Sequence, residues 1–571
     1  MNSSANNAPK PDAPPSRTGR RRPSRARRGS LLQWLVGTAI IAFVSLSVAG
    51  VFLIPPGEGF DEMLHYSYVS LLADEGRIPL IGKDTIDGSW EERHTRFPEP
   101  YNALGSRMTY GEFFEQPDGV RGDAVAQWYG RRDPGEGRIR FQQGSRTNSQ
   151  AQHPPLYYLT MVPVYKLTAG LPIGHRFLWM RLGSVAIACS SIIFFWLAWR
   201  SASGEAQRRL ALGIALAVLT PSLVLDIARL GNDSLSMALA AALFWQLLAL
   251  RNARRPWLTV ALIGLLLGLG CLTKGYFPVL TPSVIVAVAL VSRRRAGWRT
   301  VLAQCALVGM ICAAIAGWWH VRSYRISGLW LLTTIELIFQ DRPRADIRPL
   351  AFMVEFVRGS IVMIATYFYC GTWSWVKIPW AWSLPFGALL GLAAVSFVRR
   401  FRSAFLRSWE AAVLVILPAL VLGLLWHMWL VIKIYGAGTT PGYYLHVAWP
   451  FIALLFGGAL LQLRQFWTRA LAAASLVGCF IAARAGELAQ LLIYGGVAGK
   501  DPQGFIAIPD GTGPSAIPEA FRNLGELVPA ASGLSFYVLG VAAQLTVLIL
   551  VAQWLLSSRR WEKSVIQGRA S

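Results

Sequence analysis

The chain has 571 residues, of which 54% are hydrophobic and 15% charged, and its formal net charge is +24. This composition excludes a disordered chain, a collagen-like fibre and a disulfide-rich secreted scaffold. Apolar runs of roughly 18 or more residues separate short basic clusters, which is typical of a polytopic helical membrane protein rather than a porin-like barrel. The positive charge lies mainly in those clusters and in the N-terminal tail. We therefore predict contact with membrane lipids and no nucleic-acid partner.

The N-terminal segment 1–30 contains eight basic residues and one acid, which predicts a disordered cytoplasmic tail. Residues 31–54 are too long for a signal-peptide core and predict a retained first span. About twelve spans result if the Arg clusters lie on the cytoplasmic side, and both termini are then cytoplasmic. They are predicted at 31–54, 177–199, 210–228, 234–250, 257–273, 276–292, 300–319, 379–398, 410–432, 445–462, 470–493 and 534–556.

Hydropathy alone does not show how three apolar segments relate to the membrane. Counting 154–170 as a span would place the later Arg clusters outside, so we predict a helix on the outer membrane face. The run 257–292 would form a helix of about 54 Å, too long for a core of about 30 Å. It therefore predicts two spans separated by a turn at 273–276. The segment 349–371 stays open between a surface helix, a re-entrant element and a further span.

The predicted organisation has three parts. A transmembrane catalytic module covers 31–462 and includes two large extracytoplasmic loops, 55–175 and 320–378. C-terminal transmembrane helices cover 463–571, with an extracytoplasmic loop at 494–533 and a short cytoplasmic tail. The fold class is therefore all-α and polytopic, with surface helices in the large first loop.

Several polar residues are predicted at one membrane boundary. Asp61 and Glu62 follow the first span, where acids also favour a helix start, and His65 lies one turn from Asp61. The other candidates are His153 before a Pro-Pro pair, Asp233, Lys274 and Arg322. A turn explains His153 in structural terms, helix capping explains Asp233, and snorkelling explains Lys274. Together, carboxylates and cations at one interface fit a reaction at an anionic lipid headgroup.

The motifs FDEMLHY at 60–66, HPPLYYL at 153–159, RLGS at 181–184, GNDSL at 231–235, LTKG at 272–275 and WWHVR at 318–322 resemble the C-type (GT-C) glycosyltransferase superfamily. The resemblance is to protein O-mannosyltransferases, lipid A aminoarabinose transferases and related bacterial membrane proteins. A later segment, PGYYLHVAWPF at 441–451, also resembles the family. The match is best over 30–330 and extends to about 460.

The resemblance implies a bacterial inner-membrane glycosyltransferase with an extracytoplasmic active site. Its donor would be a sugar linked to polyprenyl phosphate, and its acceptor a cell-envelope glycan, a lipid or a protein. Asp61 would be the catalytic base, with Glu62 beside it. His153, Lys274 and Arg322 would bind the lipid phosphate or donor, and the contact of His153 would depend on pH.

The resemblance also leaves a metal open. Asp233 and His65 would support the acceptor or a metal ion, since some members of the superfamily use a divalent cation. Mg²⁺ or Mn²⁺ is compatible with a set drawn from Asp61, His65 and Asp233. Three alternative functions remain: a lipid-linked glycan polymerase or ligase, a transporter or flippase of lipid-linked sugars, and a non-catalytic assembly protein. The first outer loop is acidic, with 16 acids and 11 basic residues in 55–150, which disfavours the polymerase or ligase. The position of most charges at span ends disfavours the transporter.

Overall fold

The computed structural model describes residues 25–98, 108–130, 139–331, 336–337, 345–371, 380–401, 409–500, 506–508 and 511–557. The predicted tail at 1–30 lies almost entirely outside these residues, as do parts of the loops at 55–175, 320–378 and 494–533. The all-α polytopic fold predicted from the sequence is confirmed. Within the described part of the chain, nine helices are long and apolar enough to cross a membrane, or ten if a bent pair is one span.

The long helices and their shorter apolar companions form the body of the molecule. They are α1 Arg25–Leu53, α7 Ile173–Ser201, α8 Gly204–Leu219, α9 Pro221–Ala228, α10 Asp233–Leu250, α11 Pro256–Cys271, α12 Tyr276–Ser292, α13 Trp298–Ser327, α14 Pro349–Phe368, α15 Leu384–Phe401, α16 Trp409–Leu414, α17 Ile416–Tyr435, α18 Trp449–Leu461, α19 Phe466–Tyr494 and α21 Ala530–Ser557.

Shorter elements cover one end of this bundle. They are α2 Glu62–Glu75, β1 Thr85–Asp87, α3 Gly88–His94, α4 Tyr110–Phe114, α5 Asp118–Tyr129, β2 Gln143–Thr147, α6 Leu156–Leu167, β3 Gly499–Lys500, β4 Ile506–Ala507 and α20 Ala516–Leu527, with 3₁₀ turns at Ser149–Gln152, Trp380–Ser383 and Gly442–Ala448. The two strand pairs are antiparallel: Thr85 pairs with Thr147, and Gly499 pairs with Ala507.

Two segment predictions agree with these elements. The run 257–292 divides at the predicted turn, because α11 ends at Cys271 and α12 begins at Tyr276. The segment at 154–170 contains only the 12-residue helix α6. Such a helix is about 18 Å long, well short of the hydrocarbon core.

One predicted span differs in the structure, and the segment that the sequence left open contains one long helix. The predicted span 210–228 is broken into α8 and α9, whose axes are bent by 71°. The break has a local cause, since Pro221 lacks an N–H group and disfavours a helical conformation at Thr220, which is extended (φ −95°, ψ 99°). The ambiguous segment 349–371 contains α14, which is long and apolar enough to span a membrane.

Small residues allow close packing in the core of the bundle. A Cβ atom on Gly213 of α8 would collide with the backbone carbonyl of Ala453 in α18. On the other side of the bundle, a Cβ atom on Gly540 of α21 would lie 2.6 Å from the side chain of Leu46 in α1. Small residues at helix contacts are the usual means of close packing in membranes. The C-terminal helix thus packs directly on the first helix.

Candidate active site

A cavity of about 430 Å³ lies between the covering elements and the bundle. Its polar wall comes from five segments that are far apart in the sequence: the start of α2, the 3₁₀ turn before α6, the α9–α10 connection, the α11–α12 turn and the Tyr443–Tyr444 segment. Much of its apolar wall comes from α17 and the start of α12, including Leu420, Leu424 and Val279. The cavity therefore offers charged groups beside a helical, largely apolar surface.

Five of the seven residues predicted from the sequence line this cavity, namely Asp61, His65, His153, Asp233 and Lys274. Glu62 and Arg322 are not among the lining residues. Arg322 lies over the ring of Trp319, 4.8 Å from its centroid, and donates to the backbone carbonyl of Pro79 at 3.2 Å. The prediction that Arg322 binds the donor is not supported by this position, because its guanidinium contacts Trp319 and Pro79 and does not line the cavity.

Asp61 has an unusual backbone and no hydrogen-bond partner for its carboxylate among the described residues. With φ at 61°, it is the one residue other than glycine with a positive φ in the described part of the chain. Asp is among the residues that tolerate this region, but the conformation is strained and such strain clusters at functional sites. Burial raises the pKa of Asp61, although the cations of Arg229 and Lys274 oppose this effect. The Asp61 carboxylate thus lines the cavity without a hydrogen-bond partner among the described residues.

Glu62 is held very differently. Its carboxylate accepts from Arg181 at 2.8 and 2.5 Å and from the backbone N–H groups of Gly59 and Leu230 at 3.0 and 2.8 Å. The Glu62 and Arg181 side chains are both fully buried. Arg181 also donates to the carbonyls of Ile54 and Pro55. The predicted catalytic role of Glu62 is therefore replaced by a structural one, since its oxygens are already engaged away from the cavity.

The cations of the cavity belong to one chain of buried ion pairs. The Lys274 ammonium donates to Oδ1 of Asp233 at 2.5 Å, and the Arg229 guanidinium donates to Oδ2 of Asp233 at 2.6 Å. Arg229 also donates to Asp226 and, through Nη1, to the Phe60 carbonyl at 2.6 Å. An ammonium group has three donors, and among the described residues Asp233 takes one of those of Lys274. Lys274 can therefore also meet an anion.

Two imidazoles lie side by side in the wall. The rings of His65 and His153 are stacked with their centroids 6.4 Å apart, and Nδ1 of His65 lies 3.0 Å from the Tyr158 hydroxyl. Burial lowers the pKa of His65 well below its usual value, and burial together with Lys274 lowers the pKa of His153 to about 3. Both rings are thus neutral near pH 7. A neutral His153 ring can donate one hydrogen bond, and the pH-dependent phosphate contact of His153 stays a prediction.

A metal ion does not fit the predicted set. Among the described residues, no group of three or more His, Cys, Asp and Glu side chains has the geometry to hold one. Both carboxylate oxygens of Asp233 already accept from Lys274 and Arg229. The set of Asp61, His65 and Asp233 therefore does not form a site for Mg²⁺ or Mn²⁺ in this arrangement.

Sequence reasoning missed several cavity residues. The sequence analysis did not single out Arg229, yet Arg229 lines the cavity and lies at the centre of the ion pairs. Tyr443 and Tyr444 also line the cavity, and Tyr443 stacks on Phe60 with centroids 5.2 Å apart. The signal for Arg229 was available, because an Arg three residues after one acid and four residues before another can bridge both.

The family model described as "Predicted membrane protein (DUF2142)" matches residues 44–431. The chain belongs to this family. Among solved structures, the DUF2142 chain is similar to ArnT from Cupriavidus metallidurans bound to undecaprenyl phosphate, with 16% identity, a TM-score of 0.41 and coverage of 92% of this chain and 78% of ArnT. It is also similar to the Archaeoglobus fulgidus oligosaccharyltransferase in the apo form, with 12% identity, a TM-score of 0.43 and coverage of 91% and 56%.

Neither of these likenesses carries an argument about the superfamily or the activity of this chain. Their identities lie far below 25% and their TM-scores below 0.5. The roles of residues in this DUF2142 protein therefore rest on its own contacts.

Proposed function

We propose that this protein is an integral-membrane glycosyltransferase that transfers a sugar from a polyprenyl-phosphate-linked donor to an acceptor hydroxyl. One observation carries the proposal: a carboxylate without a hydrogen-bond partner among the described residues lines the same cavity as two cations. Asp61 is strained and lacks a hydrogen-bond partner among the described residues, while Lys274 and Arg229 line the same cavity. Base and anion-binding groups in one cavity suit a reaction that begins with an alcohol and ends with a phosphate.

The proposed reaction exchanges one bond for another at the anomeric carbon of the sugar. Asp61 takes the proton of the acceptor hydroxyl, and the acceptor oxygen forms a bond to the anomeric carbon of the sugar. The bond between that carbon and the lipid phosphate oxygen breaks, and its electron pair stays on the phosphate. Lys274 stabilises this developing charge, and Arg229 adds to the positive field. The neutral ring of His153 offers a further hydrogen bond to the phosphate.

The apolar wall supports a lipid-linked donor. Leu420, Leu424 and Leu430 of α17 line the cavity, and α17 belongs to a segment long and apolar enough to span a membrane. A carrier chain could therefore lie along α17 with its phosphate at the polar wall, since hydrocarbon is favoured on an apolar surface. We propose an extracytoplasmic location for the cavity, because that topology keeps the Arg clusters on the cytoplasmic side.

A gene deletion tests this proposal most broadly. Envelope glycans and lipid-linked sugars are compared by mass spectrometry in the parent strain, the deletion strain and the deletion strain carrying the wild-type gene. We expect the deletion to remove one sugar from an envelope glycan, lipid or protein, to accumulate its lipid-linked form, and to be reversed by the gene. An unchanged set of envelope sugars would contradict the proposal.

The alternative functions receive less support from the contacts. The charged residues Arg484 and Glu487 of α19 would suit a transport path if they faced an aqueous channel. Instead, they pair with each other at 2.7 Å, and both contact the Tyr537 hydroxyl of α21. Contacts of this kind between two helices fit a packing role rather than a transport path. We keep the transporter and the polymerase or ligase as outcomes of the deletion experiment.

A further inference from the structure

A buried histidine outside the cavity is connected to Arg229 through one carboxylate. His446 lies in the 3₁₀ turn before α18, is fully buried and does not line the cavity. Its Nδ1 lies 3.1 Å from Oδ2 of Asp226, while Oδ1 of Asp226 accepts from Arg229 at 2.8 and 2.5 Å. His446 and Arg229 thus hold the two oxygens of a single carboxylate from opposite sides.

The other side of the imidazole is fixed by backbone. Nε2 of His446 lies 3.1 Å from the Tyr367 carbonyl and 3.2 Å from Oγ of Ser222. Ser222 in turn donates to the carbonyls of Tyr367 and Phe368 at the end of α14. The ring is therefore held between α9, α14 and the 3₁₀ turn. A side chain so restrained can set the direction of the carboxylate that it contacts.

The orientation of the Asp226 carboxylate affects the cavity through the other hydrogen bonds of Arg229. Arg229 uses Nη1 to bind the Phe60 carbonyl at 2.6 Å, and Phe60 directly precedes the strained residue Asp61. It uses Nη2 to bind Asp233 at 2.6 Å, which is the partner of Lys274. A guanidinium that is planar and fixed on one edge presents its remaining hydrogens in a fixed direction.

We infer that His446 is a positioning residue: through Nδ1 and Asp226 it fixes Arg229, and hence the anion-binding wall beside Asp61. The inference rests on the proposed function, because Arg229 is assumed to contribute to phosphate binding. His446 touches neither the cavity nor its contents and acts only through Asp226. The arrangement resembles a Ser-His-Asp triad in its atoms, but Ser222 is buried and donates to carbonyls, so it is not a nucleophile.

Two substitutions separate this role from simple packing. The amide nitrogen of Asn can replace Nδ1 and keep the bond to Asp226, whereas that of Gln replaces Nε2 and keeps the bond to Tyr367. The probe is undecaprenyl phosphate, whose dissociation constant is measured by native mass spectrometry on the purified full chain. We expect His446→Asn to stay within about threefold of wild type and His446→Gln to weaken binding about tenfold or more, as for the loss of a hydrogen bond to a charged group.

A double-mutant cycle tests whether His446 acts through Arg229. If His446 acts through Arg229, His446→Gln with Arg229→Gln binds the probe no more weakly than Arg229→Gln alone. Gln544→Ala is the control, since it removes a buried hydrogen bond to the Val218 carbonyl elsewhere in the bundle and leaves a cavity. It is expected to lower the melting temperature without changing probe binding, which shows that lost stability alone does not change affinity.

Each result has one meaning. Additive losses in the cycle, or a stronger effect of His446→Asn than of His446→Gln, overturn the positioning role. If His446→Gln does not fold, His446→Asn still tests the proposal, because a tenfold loss in a variant that keeps the Nδ1 donor overturns it. If Arg229→Gln leaves probe binding unchanged, the phosphate site itself fails, and that failure belongs to the proposed function.

Discussion

Two neighbouring carboxylates lie in opposite surroundings at the start of α2. On the interior side, Glu62 accepts four hydrogen bonds and pairs with the fully buried Arg181. On the cavity side, Asp61 has a strained backbone and a pKa that burial raises. The difference teaches that two adjacent acids can have separate roles. Glu62 fixes the end of α1 to α7 through Arg181, whereas the Asp61 carboxylate lines the cavity without a partner among the described residues.

The largest expected effect follows from removing the charge on the cavity side. Asp61→Asn keeps the size of the side chain and tolerates a positive φ, so the fold should persist. We expect the rate of transfer to fall about 10²- to 10⁴-fold, as for the loss of a general base. The melting temperature should stay equal or rise, because burial of the Asp61 carboxylate is unfavourable. Rate assays in membranes and thermal unfolding check both; a fall in stability would show that Asp61 is structural.

Removing the charge of Glu62, the interior carboxylate, should lower stability and leave the rate per folded molecule unchanged. Glu62→Gln leaves Arg181 as a buried charge without its partner, which typically costs about 3–5 kcal/mol. We expect a large fall in melting temperature, with transfer reduced only in proportion to the folded protein. Asp118→Asn is the control, since it breaks an ion pair with Arg121 at an almost fully exposed acid. It should change stability by less than about 1 kcal/mol; equal effects of the two variants would remove the distinction.

The Lys274 ammonium should control binding of the lipid phosphate rather than proton transfer. Lys274→Gln removes a charge whose ammonium already bridges to Asp233. We expect undecaprenyl phosphate to bind about 10- to 100-fold more weakly, as for a charged hydrogen bond. Lys166→Gln at the exposed end of α6 is the matched control. Unchanged binding in Lys274→Gln would exclude Lys274 from the phosphate site.

The pH dependence sharpens the same comparison. Burial raises the pKa of Asp61, so transfer should fall on the acid side as the base becomes protonated, with a midpoint above the usual value of about 4. The stability of the fold depends on pH in the opposite direction. The Asp61 carboxyl binds its proton more tightly in the folded state than in the unfolded state. Its contribution to stability therefore decreases as pH rises from the unfolded to the folded pKa. A rate profile from pH 4 to 8 checks the acid limb. A midpoint near 6.5 that disappears in His153→Gln would assign it to His153 instead.

The smallest effect is expected outside the cavity. Arg322 binds the Pro79 carbonyl and lies over Trp319, so Arg322→Gln should leave binding of undecaprenyl phosphate within about threefold of wild type. The same titration as for Lys274→Gln measures it. A tenfold loss would return Arg322 to the phosphate site that the sequence had suggested.

Much of the fold was predictable because hydropathy and charge are local signals. The turn at 273–276 followed from length alone, since one helix over 257–292 would exceed the membrane core. The break at Pro221 was not predicted, because apolar residues continue on both sides and hide the loss of a backbone donor. That break separates α9 from α8, and α9 carries Asp226. A span predicted as continuous therefore concealed part of the site.

The candidate site was predictable in part for a similar reason. Asp61, His153 and Lys274 could be predicted from motifs at span boundaries, and the structure places them in one cavity. Whether an acid is free or paired depends on residues far away in the sequence. Glu62 is engaged by Arg181, 119 positions away, and only the fold shows that contact.

The most direct test of this account compares the two carboxylates in one complementation experiment. A deletion strain receives wild type, Asp61→Asn or Glu62→Gln, and restored envelope glycan is measured by mass spectrometry per folded molecule. The account predicts that Glu62→Gln restores the glycan in proportion to its folded amount, while Asp61→Asn restores less than about a tenth. Full restoration by Asp61→Asn would contradict the assignment of Asp61 as the base.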